Sequence, residues 1–169
     1  MKKTLLVTSL LAASVFASAA NAGDINITGA IAQAACVTTA TAPDIKMPLI
    51  THAKLGTGVG DFATDAVTDL TIKLTGCPAI KQTATVTFNG AADKNTPTAL
   101  ALTGVAGVAL ALFEENGTDL ISINGAAKPQ NMTGTPTKEL KYKLKYVTTK
   151  DVFKEGNATA VLNFDVKYN

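Results

Sequence analysis

Few side chains in this sequence could act as a nucleophile, a general acid or base, or a metal ligand. The single histidine, His52, lies in a segment rich in Thr, Lys and Gly, where a histidine is more often a surface residue than a catalyst. The adjacent carboxylates Glu114 and Glu115 would point to opposite faces of a strand, so they could not share one acid–base site. No catalytic or metal-binding motif surrounds these residues. We therefore expect no enzyme, no metal site and no cofactor.

The two cysteines, Cys36 and Cys77, are the remaining reactive side chains. Both follow a segment that has the features of an export signal. An even number of cysteines in an exported chain predicts one disulfide rather than a metal site or a nucleophile. That disulfide would close a loop of about 40 residues, for which chain entropy gives roughly 4 kcal/mol of stabilisation.

The N-terminal segment has the three parts of a secretory signal peptide. Lys2-Lys3 is followed by the apolar run 5–16 and by the small-residue triplet Ala20-Asn21-Ala22. The apolar run is too short to cross a bilayer, which needs roughly 20 apolar residues. Cleavage after residue 22 would leave 147 of the 169 residues, enough for one domain with a sizeable core.

The charge of the chain argues against nucleic acid as a partner. All 15 basic residues are lysines, and the mature chain balances 13 lysines against 13 acidic residues. Arginine, the residue best suited to bidentate recognition of phosphate or guanine, is absent. The lysines between positions 138 and 145 alternate with leucines and tyrosines, which predicts the solvent face of an amphipathic strand rather than a basic binding patch.

Apolar residues recur with a period of two along almost the whole mature chain, and clusters of Gly, Asn, Pro and Thr separate the runs. This pattern predicts an all-β protein, and several short strands at this spacing favour a sandwich. Candidate strands are 25–31, 69–74, 84–88, 108–114, 138–147 and 160–168, with shorter pieces at 45–49 and 120–123.

Three Asn-Gly dipeptides follow apolar runs, and we predict a tight turn at each, because such turns require positive φ angles. They are Asn89-Gly90, Asn116-Gly117 and Asn124-Gly125. The glycine-rich segment 56–60 is not followed by the GK[ST] of a phosphate-binding loop or by a helix signal, so we interpret it as a mobile loop.

An alternating apolar strand lies at each end of the mature chain. Side chains on one face of the first are Ile25, Ile27, Gly29 and Ile31, and those on one face of the last are Leu162, Phe164, Val166 and Tyr168. An apolar strand with an unpaired edge invites association with another chain. Since the last strand ends one residue before the C-terminus, we expect nothing after it to cover its free side, where a complete immunoglobulin-like sandwich has one more strand.

The pattern alone leaves two interpretations of these strands open. Both could be core strands of a self-sufficient secreted sandwich, such as a binding module that keeps its N-terminal strand in its own sheet. Alternatively, the first strand could pair with another molecule. A periplasmic enzyme is a third and weaker interpretation, because His52 has no partner motif.

Five short segments of the sequence resemble a known protein family. They are Gly23-Asp24-Ile25-Asn26-Ile27-Thr28, Gly29 placed seven residues before Cys36, Leu74-Thr75-Gly76-Cys77-Pro78, Phe88-Asn89-Gly90-Ala91-Ala92-Asp93, and Phe164-Asp165-Val166-Lys167-Tyr168-Asn169 with its penultimate tyrosine. In order and spacing they resemble the structural subunits of chaperone–usher pili, above all the linker subunits near the tip of type 1 pili. The segment before Cys36 is shorter than in many rod-forming subunits of that family, which favours a tip-linker or minor subunit.

The resemblance implies a structural subunit of an adhesive pilus, with no catalytic activity. The implied fold is an incomplete immunoglobulin-like β-sandwich that lacks its final strand. The implied organisation is a signal peptide at 1–22, an N-terminal donor-strand extension at 23–35 and a pilin domain at 36–169. The implied route is export through the periplasm to a fimbria on the cell surface, where the assembled pilus could contact a host cell.

The resemblance also implies partners and residue roles. A periplasmic chaperone would lend a strand to the open groove and hold the C-terminal carboxylate, here on Asn169. At an outer-membrane usher, the extension of the neighbouring subunit would then replace the chaperone. Ile25, Ile27 and Ile31 would fill the neighbour's groove, Gly29 would lie where no side chain fits, and Leu162, Phe164, Val166 and Tyr168 would form part of the acceptor groove. Cys36 and Cys77 would join the first strand of the domain to the second.

Overall fold

The computed structural model describes residues 35–40 and 44–169, with only the backbone of Ala40. Within these ranges the chain forms nine strands and one short 3-10 helix. In chain order they are β1 (Val37–Ala40), the 3-10 helix (His52–Lys54), β2 (Phe62–Thr75), β3 (Thr83–Gly90), β4 (Val108–Glu114), β5 (Leu120–Ile121), β6 (Gly125–Ala126), β7 (Gln130–Asn131), β8 (Thr137–Thr148) and β9 (Leu162–Tyr168). The described ranges contain no helix that is long and apolar enough to cross a bilayer. The predicted signal peptide and the predicted strand 25–31 lie outside the described residues.

The strands form two antiparallel sheets, which confirms the all-β prediction. The first sheet has the order β1-β2-β8-β4-β5. In the second, β3 pairs with β6 and β7 along one edge and with β9 along the other. Four strands therefore have partners along both edges: β2, β8, β4 and β3.

One core cluster joins residues of both sheets because their apolar side chains alternate along each strand. It includes Leu70, Ile72 and Leu74 of β2, Val86 and Phe88 of β3, Leu110 and Leu112 of β4, and Leu140, Tyr142 and Leu144 of β8. The lysines at 141, 143 and 145 lie on the opposite, more exposed face of β8, as the alternation predicts.

β4 is buried on both faces. Its second face forms a smaller cluster in which Phe113 and alanines pack with Val147 of β8. The ring of Phe62 meets that of Phe113 edge to face, with centroids 5.1 Å apart. This face of β4 is therefore covered by a cluster in which Phe113 is the largest side chain.

Most of the predicted strands are confirmed. β4 coincides with the predicted 108–114, and β3, β8 and β9 match their predicted ranges to within two residues. β2 begins seven residues earlier than predicted, and β5 covers only the first half of the predicted 120–123.

The predicted strand 45–49 is wrong, and β1 was not predicted. Residues 45–49 pair with no described strand, although Ile45 and Met47 pack against the core. Pro48 has no N–H to donate to a ladder, so one regular bond is lost there. β1 is only four residues long and its side chains at 37–39 are exposed, so it carries no alternating signal.

Two of the three predicted Asn-Gly turns are confirmed, with Gly117 at φ 70° and Asn124 at φ 65°. The prediction of a turn at Asn89-Gly90 is wrong, because both residues belong to the end of β3 and pair with β9. Gly90 is closely packed there: a Cβ at this position would lie 2.4 Å from Cδ1 of Leu100, whose side chain would have to shift.

The glycine-rich segment 56–60 is a hydrogen-bonded turn rather than a free loop. The N–H of Gly58 donates to the Asp61 carboxylate at 2.7 Å, and the N–H of Gly60 donates to the Thr148 carbonyl at 3.0 Å. The Thr148 hydroxyl donates in turn to the Gly58 carbonyl. The segment is thereby attached to the end of β8.

Cys36 and Cys77 form a disulfide, with a Cα–Cα distance of 4.3 Å. Cys36 precedes β1 and Cys77 follows β2 by two residues, next to the pair formed by Val37 and Thr75. The bond therefore adds a covalent link to the four-residue ladder between the short edge strand β1 and the long strand β2.

We predict that the double variant Cys36→Ala/Cys77→Ala lowers the free energy of unfolding by roughly 4 kcal/mol, because the loop that the disulfide closes regains its entropy in the unfolded chain. Urea unfolding followed by circular dichroism measures the loss. The exposed residue Thr38 of β1 provides the control, since Thr38→Ser should leave the midpoint unchanged. Equal midpoints for the double variant and the parent chain would contradict the prediction.

Candidate functional site

The last strand, β9, has a partner along one edge only within the described part of the chain. It pairs with β3 over its whole length, from Leu162 opposite Gly90 to Tyr168 opposite Ala84. One residue further on, the backbones of Thr83 and Asn169 exchange two hydrogen bonds, at 2.9 and 3.1 Å. None of the other described strands pairs with β9. We call the side of β9 that faces away from β3 the open edge.

The bonds between Thr83 and Asn169 determine which backbone groups point to the open edge. Directly opposed residues of an antiparallel pair alternate between exchanging two hydrogen bonds and exchanging none. The odd-numbered residues of β9 therefore bond to β3, and the even-numbered residues direct their N–H and C=O groups to the open edge. These even-numbered residues are Leu162, Phe164, Val166 and Tyr168.

The same four residues carry the apolar face of β9. They pack against the core cluster but are only half-buried, while Asn163, Asp165 and Lys167 are exposed. In β8, which has strands on both sides, the four apolar residues from Leu140 to Tyr146 are at most 9% exposed. The apolar face of β9 therefore lacks the cover that a central strand has.

The layer behind Phe164 is aromatic and uncharged. Phe164 lies opposite Phe88, which is completely buried and meets the ring of Tyr142 edge to face, with centroids 4.9 Å apart. Burial, with a smaller contribution from the Glu114 carboxylate, raises the pKa of the Tyr142 phenol far above its usual value. The phenol is therefore neutral at physiological pH, and this part of the site is apolar.

Six apolar residues outside β9 also pack half-buried against the core, and sequence reasoning did not single them out: Ile45, Met47, Ile50, Leu102, Val105 and Phe153. Nearby, the side chain of Leu49 is 98% exposed. The alternation of apolar and polar residues at 45–47 could have pointed to Ile45 and Met47. It predicts a strand, but these residues pair with no described strand.

The sheet order corresponds to an immunoglobulin-like sandwich without its last strand. In that fold one sheet has the order A-B-E-D and the other C-F-G. The order β1-β2-β8-β4 corresponds to the first, and the pair β3-β9 corresponds to C and F. The described residues supply no strand at position G, which would lie along the open edge.

The residues predicted from the sequence as acceptors do lie together on β9. Leu162, Phe164, Val166 and Tyr168 share one face, and the backbone of Asn169 continues the ladder with β3. Their role as an acceptor stays a prediction. The predicted donor residues Ile25, Ile27, Gly29 and Ile31 lie outside the described residues.

His52 and Glu114, which the sequence offers as candidates for catalysis, each make contacts within the fold. The His52 ring stacks on the Phe153 ring, with centroids 4.4 Å apart. The Glu114 carboxylate is buried and accepts the backbone N–H of Lys128 at 2.7 Å. Across residues 35–40 and 44–169, no group of three or more His, Cys, Asp or Glu side chains is arranged to hold a metal ion.

Comparison with known protein families gives a match over most of the chain. Residues 25–169 match the family model described as Fimbrial protein. The laminin-binding fimbrial subunit ElfA of Escherichia coli O157:H7 is 31% identical over 187 residues, covering 99% of each chain. The fimbrial-like protein YcbU of Escherichia coli K12 is 39% identical over 107 residues, and this match spans 59% of each chain.

Among solved structures, the rod subunit PapA of the P pilus superposes with a TM-score of 0.66. The match covers 80% of this chain and all of PapA, at 20% sequence identity. At this identity the likeness establishes a common fold.

Amide hydrogen exchange should alternate along β9. We expect slow exchange at Asn163, Asp165 and Lys167, whose N–H groups bond to β3, and exchange at least tenfold faster at Phe164 and Val166, whose N–H groups point to the open edge. Exchange of single amides followed by NMR measures this difference. β8 serves as the internal control, since its strand partners on both sides should protect consecutive amides alike. Uniform protection along β9 would show that its second edge is occupied.

Proposed function

The chain belongs to the fimbrial protein family and is a structural subunit of a surface fimbria, and we propose that it polymerises by inserting its N-terminal strand along the open edge of β9 in a neighbouring subunit. The donor is the extension 23–35, and the acceptor is the face formed by Leu162, Phe164, Val166 and Tyr168. Each copy is then donor to one neighbour and acceptor for another, which produces a fibre.

One observation carries this proposal. On β9 the four residues whose backbone groups bond to none of the described strands are the same four residues whose apolar side chains are half-buried. A single added strand can therefore satisfy the backbone groups and cover the apolar face at once. A small ligand could do only one of these.

The N-terminal extension has the sequence that such a strand needs. Ile25, Ile27 and Ile31 share one face with Gly29, while Asn26 and Thr28 face the other way. Burial of three isoleucine side chains contributes on the order of 5–9 kcal/mol before any backbone bond is counted. The joint between subunits should therefore be tight and slow to open.

Before assembly, the open edge needs a temporary partner, because an exposed apolar edge aggregates. A periplasmic chaperone that lends its own strand supplies this cover and holds the carboxylate of Asn169. An outer-membrane usher then exchanges the chaperone strand for the extension of the next subunit. The disulfide between Cys36 and Cys77 supports this order of events, because it holds β1 to β2 while the sandwich is incomplete.

The same proposal assigns the segments of the chain. Residues 1–22 direct export and are removed, residues 23–35 are the donor strand, and residues 36–169 are the pilin domain. Placement as a linker near the tip stays a prediction, and so does contact of the assembled pilus with a host cell. The alternative, a self-sufficient binding module, is not favoured by a β9 that has one described partner.

We predict that Ile27→Asp and Gly29→Leu abolish polymerisation but leave export and chaperone binding intact. The first places a charge against an apolar face, and the second places a side chain where none fits. Multimers of surface protein on unheated SDS gels and fibres seen by electron microscopy report the outcome. Asn26→Asp is the matched control, because it adds the same charge on the opposite face of the strand. Normal fibres from the Ile27 variant would exclude the donor role.

A synthetic peptide that copies residues 23–35 should cap the subunit. The peptide would occupy the open edge and leave single, stable particles instead of fibres when it is added to chaperone-released protein. The same peptide with Ile27→Asp is the control and should leave assembly unchanged. Fibres of normal length in the presence of excess unmodified peptide would contradict the proposal.

We also propose that the chain performs no catalysis. The stacking of His52 on Phe153 accounts for this histidine as part of the fold. We expect His52→Ala to leave subunit levels and fibre yield within about twofold of the parent chain, as for substitutions at most exposed positions. Quantitative blotting of surface protein measures this, and loss of fibres with a folded subunit would assign His52 a role in assembly.

A further inference from the structure

The Asn-Gly dipeptides are places where the chain can modify itself by deamidation. The glycine nitrogen gives up its proton and attacks Cγ of the asparagine, since glycine has no Cβ to obstruct the approach. The new bond closes a succinimide ring, and the side-chain nitrogen leaves as ammonia. Water then opens the ring to aspartate or isoaspartate. At a given pH and temperature, the fold decides how fast this happens at Asn89-Gly90, Asn116-Gly117 and Asn124-Gly125.

Two of the three glycine N–H groups are held by backbone carbonyls of their own turns. The N–H of Gly117 donates to the Glu114 carbonyl at 2.8 Å. The N–H of Gly125 donates to the Ser122 carbonyl at 3.0 Å. A glycine N–H that is bonded in this way must first break its bond before the nitrogen can attack the asparagine side chain.

The third glycine, Gly90, depends on a side chain 34 residues further along the chain. Gly90 and Leu162 form a non-hydrogen-bonded pair, so the N–H of Gly90 points away from β9. There it donates to Oδ1 of Asn124 at 3.1 Å, while the N–H of Asn124 donates to the Phe88 carbonyl at 2.7 Å. Asn124 has φ 65°, which asparagine adopts more readily than most residues. This one residue therefore completes the hydrogen bonding at the end of β3.

The side chain of Asn89 is held from the opposite side, by β9. Its Nδ2 donates to Oδ2 of Asp165 at 3.0 Å. A carboxylate only accepts hydrogen bonds, so this contact needs the amide of Asn89. Deamidation would replace the hydrogen bond by two facing carboxylates, and like charges on paired strands repel. The modification would thus act on the one described strand pairing that holds β9.

We propose that Asn89 is a deamidation site which the side chain of Asn124 protects in the folded subunit, and that its conversion weakens the attachment of β9 to β3. The unfolded chain has neither hydrogen bond, so Asn89 is modified there, or in the folded chain when this end of β3 opens. The inference concerns contacts within one chain and is independent of strand donation between subunits.

Asn124→Gly tests the protection, because it removes the acceptor and keeps a residue that adopts positive φ without strain. In fimbriae isolated from cells and incubated at mildly alkaline pH, we expect deamidation at Asn89 to become about fivefold faster, as for loss of one hydrogen bond, with no change at Asn116. Asn124→Asp is the matched control, since its carboxylate still accepts the N–H of Gly90. Peptide mass spectrometry with isoaspartate-specific methylation measures the rate at each site.

An unchanged rate at Asn89 in the Asn124→Gly chain would overturn the protection, and so would an equal rise at Asn116. Two measurements on the parent chain need no substitution. Asn89 should deamidate at least about tenfold more slowly in intact fimbriae than in the same chain unfolded in urea, and the Gly90 amide should be protected from hydrogen exchange. Equal rates in both states, or exchange at Gly90 as fast as in the unfolded chain, would also overturn it.

An exchange of groups between the two strands tests the consequence for β9. Asn89→Asp reproduces the product, and we expect it to raise the equilibrium constant of unfolding about twofold to fivefold. Asn89→Asp with Asp165→Asn places one amide and one carboxylate in exchanged positions, so it should recover most of this loss. Asn157→Asp adds the same charge at an exposed position and is the control. Urea unfolding measures all three. No effect of Asn89→Asp, or no recovery in the double variant, would overturn the proposed weakening.

Discussion

The open edge of β9, along which none of the described strands pairs, is the constraint on which the rest of this structure depends. Buried backbone N–H and C=O groups need partners, and apolar side chains need cover. On β9 both needs fall on the same four residues, because side-chain direction and hydrogen-bond direction alternate together along an antiparallel strand. In the assembly that we propose, one strand from another molecule meets both needs, so that assembly completes a fold rather than docking two finished surfaces.

A domain with such an edge must stay folded before the missing strand arrives. The long pairing of β2 with β8, and of β8 with β4, provides a sheet whose core residues are nearly all buried. β4 adds a second cluster on its outer face, and the disulfide ties β1 to β2. The even-numbered residues of β9, by contrast, are only half-buried.

The sequence by itself determined what depends on local periodicity: the all-β class, the strands β3, β4, β8 and β9, and the inward face of each, including Leu162 and Phe164 on β9. It also determined the disulfide, since only two cysteines are available. Tertiary structure decided which neighbour each strand has: that Asn89-Gly90 extends β3 instead of turning, that residues 45–49 find no described partner, that β4 is buried on both faces, and that β9 pairs with β3 and with no other described strand. Alternation fixes where a side chain points relative to its own strand, whereas the partner along each edge depends on contacts between residues far apart in the chain.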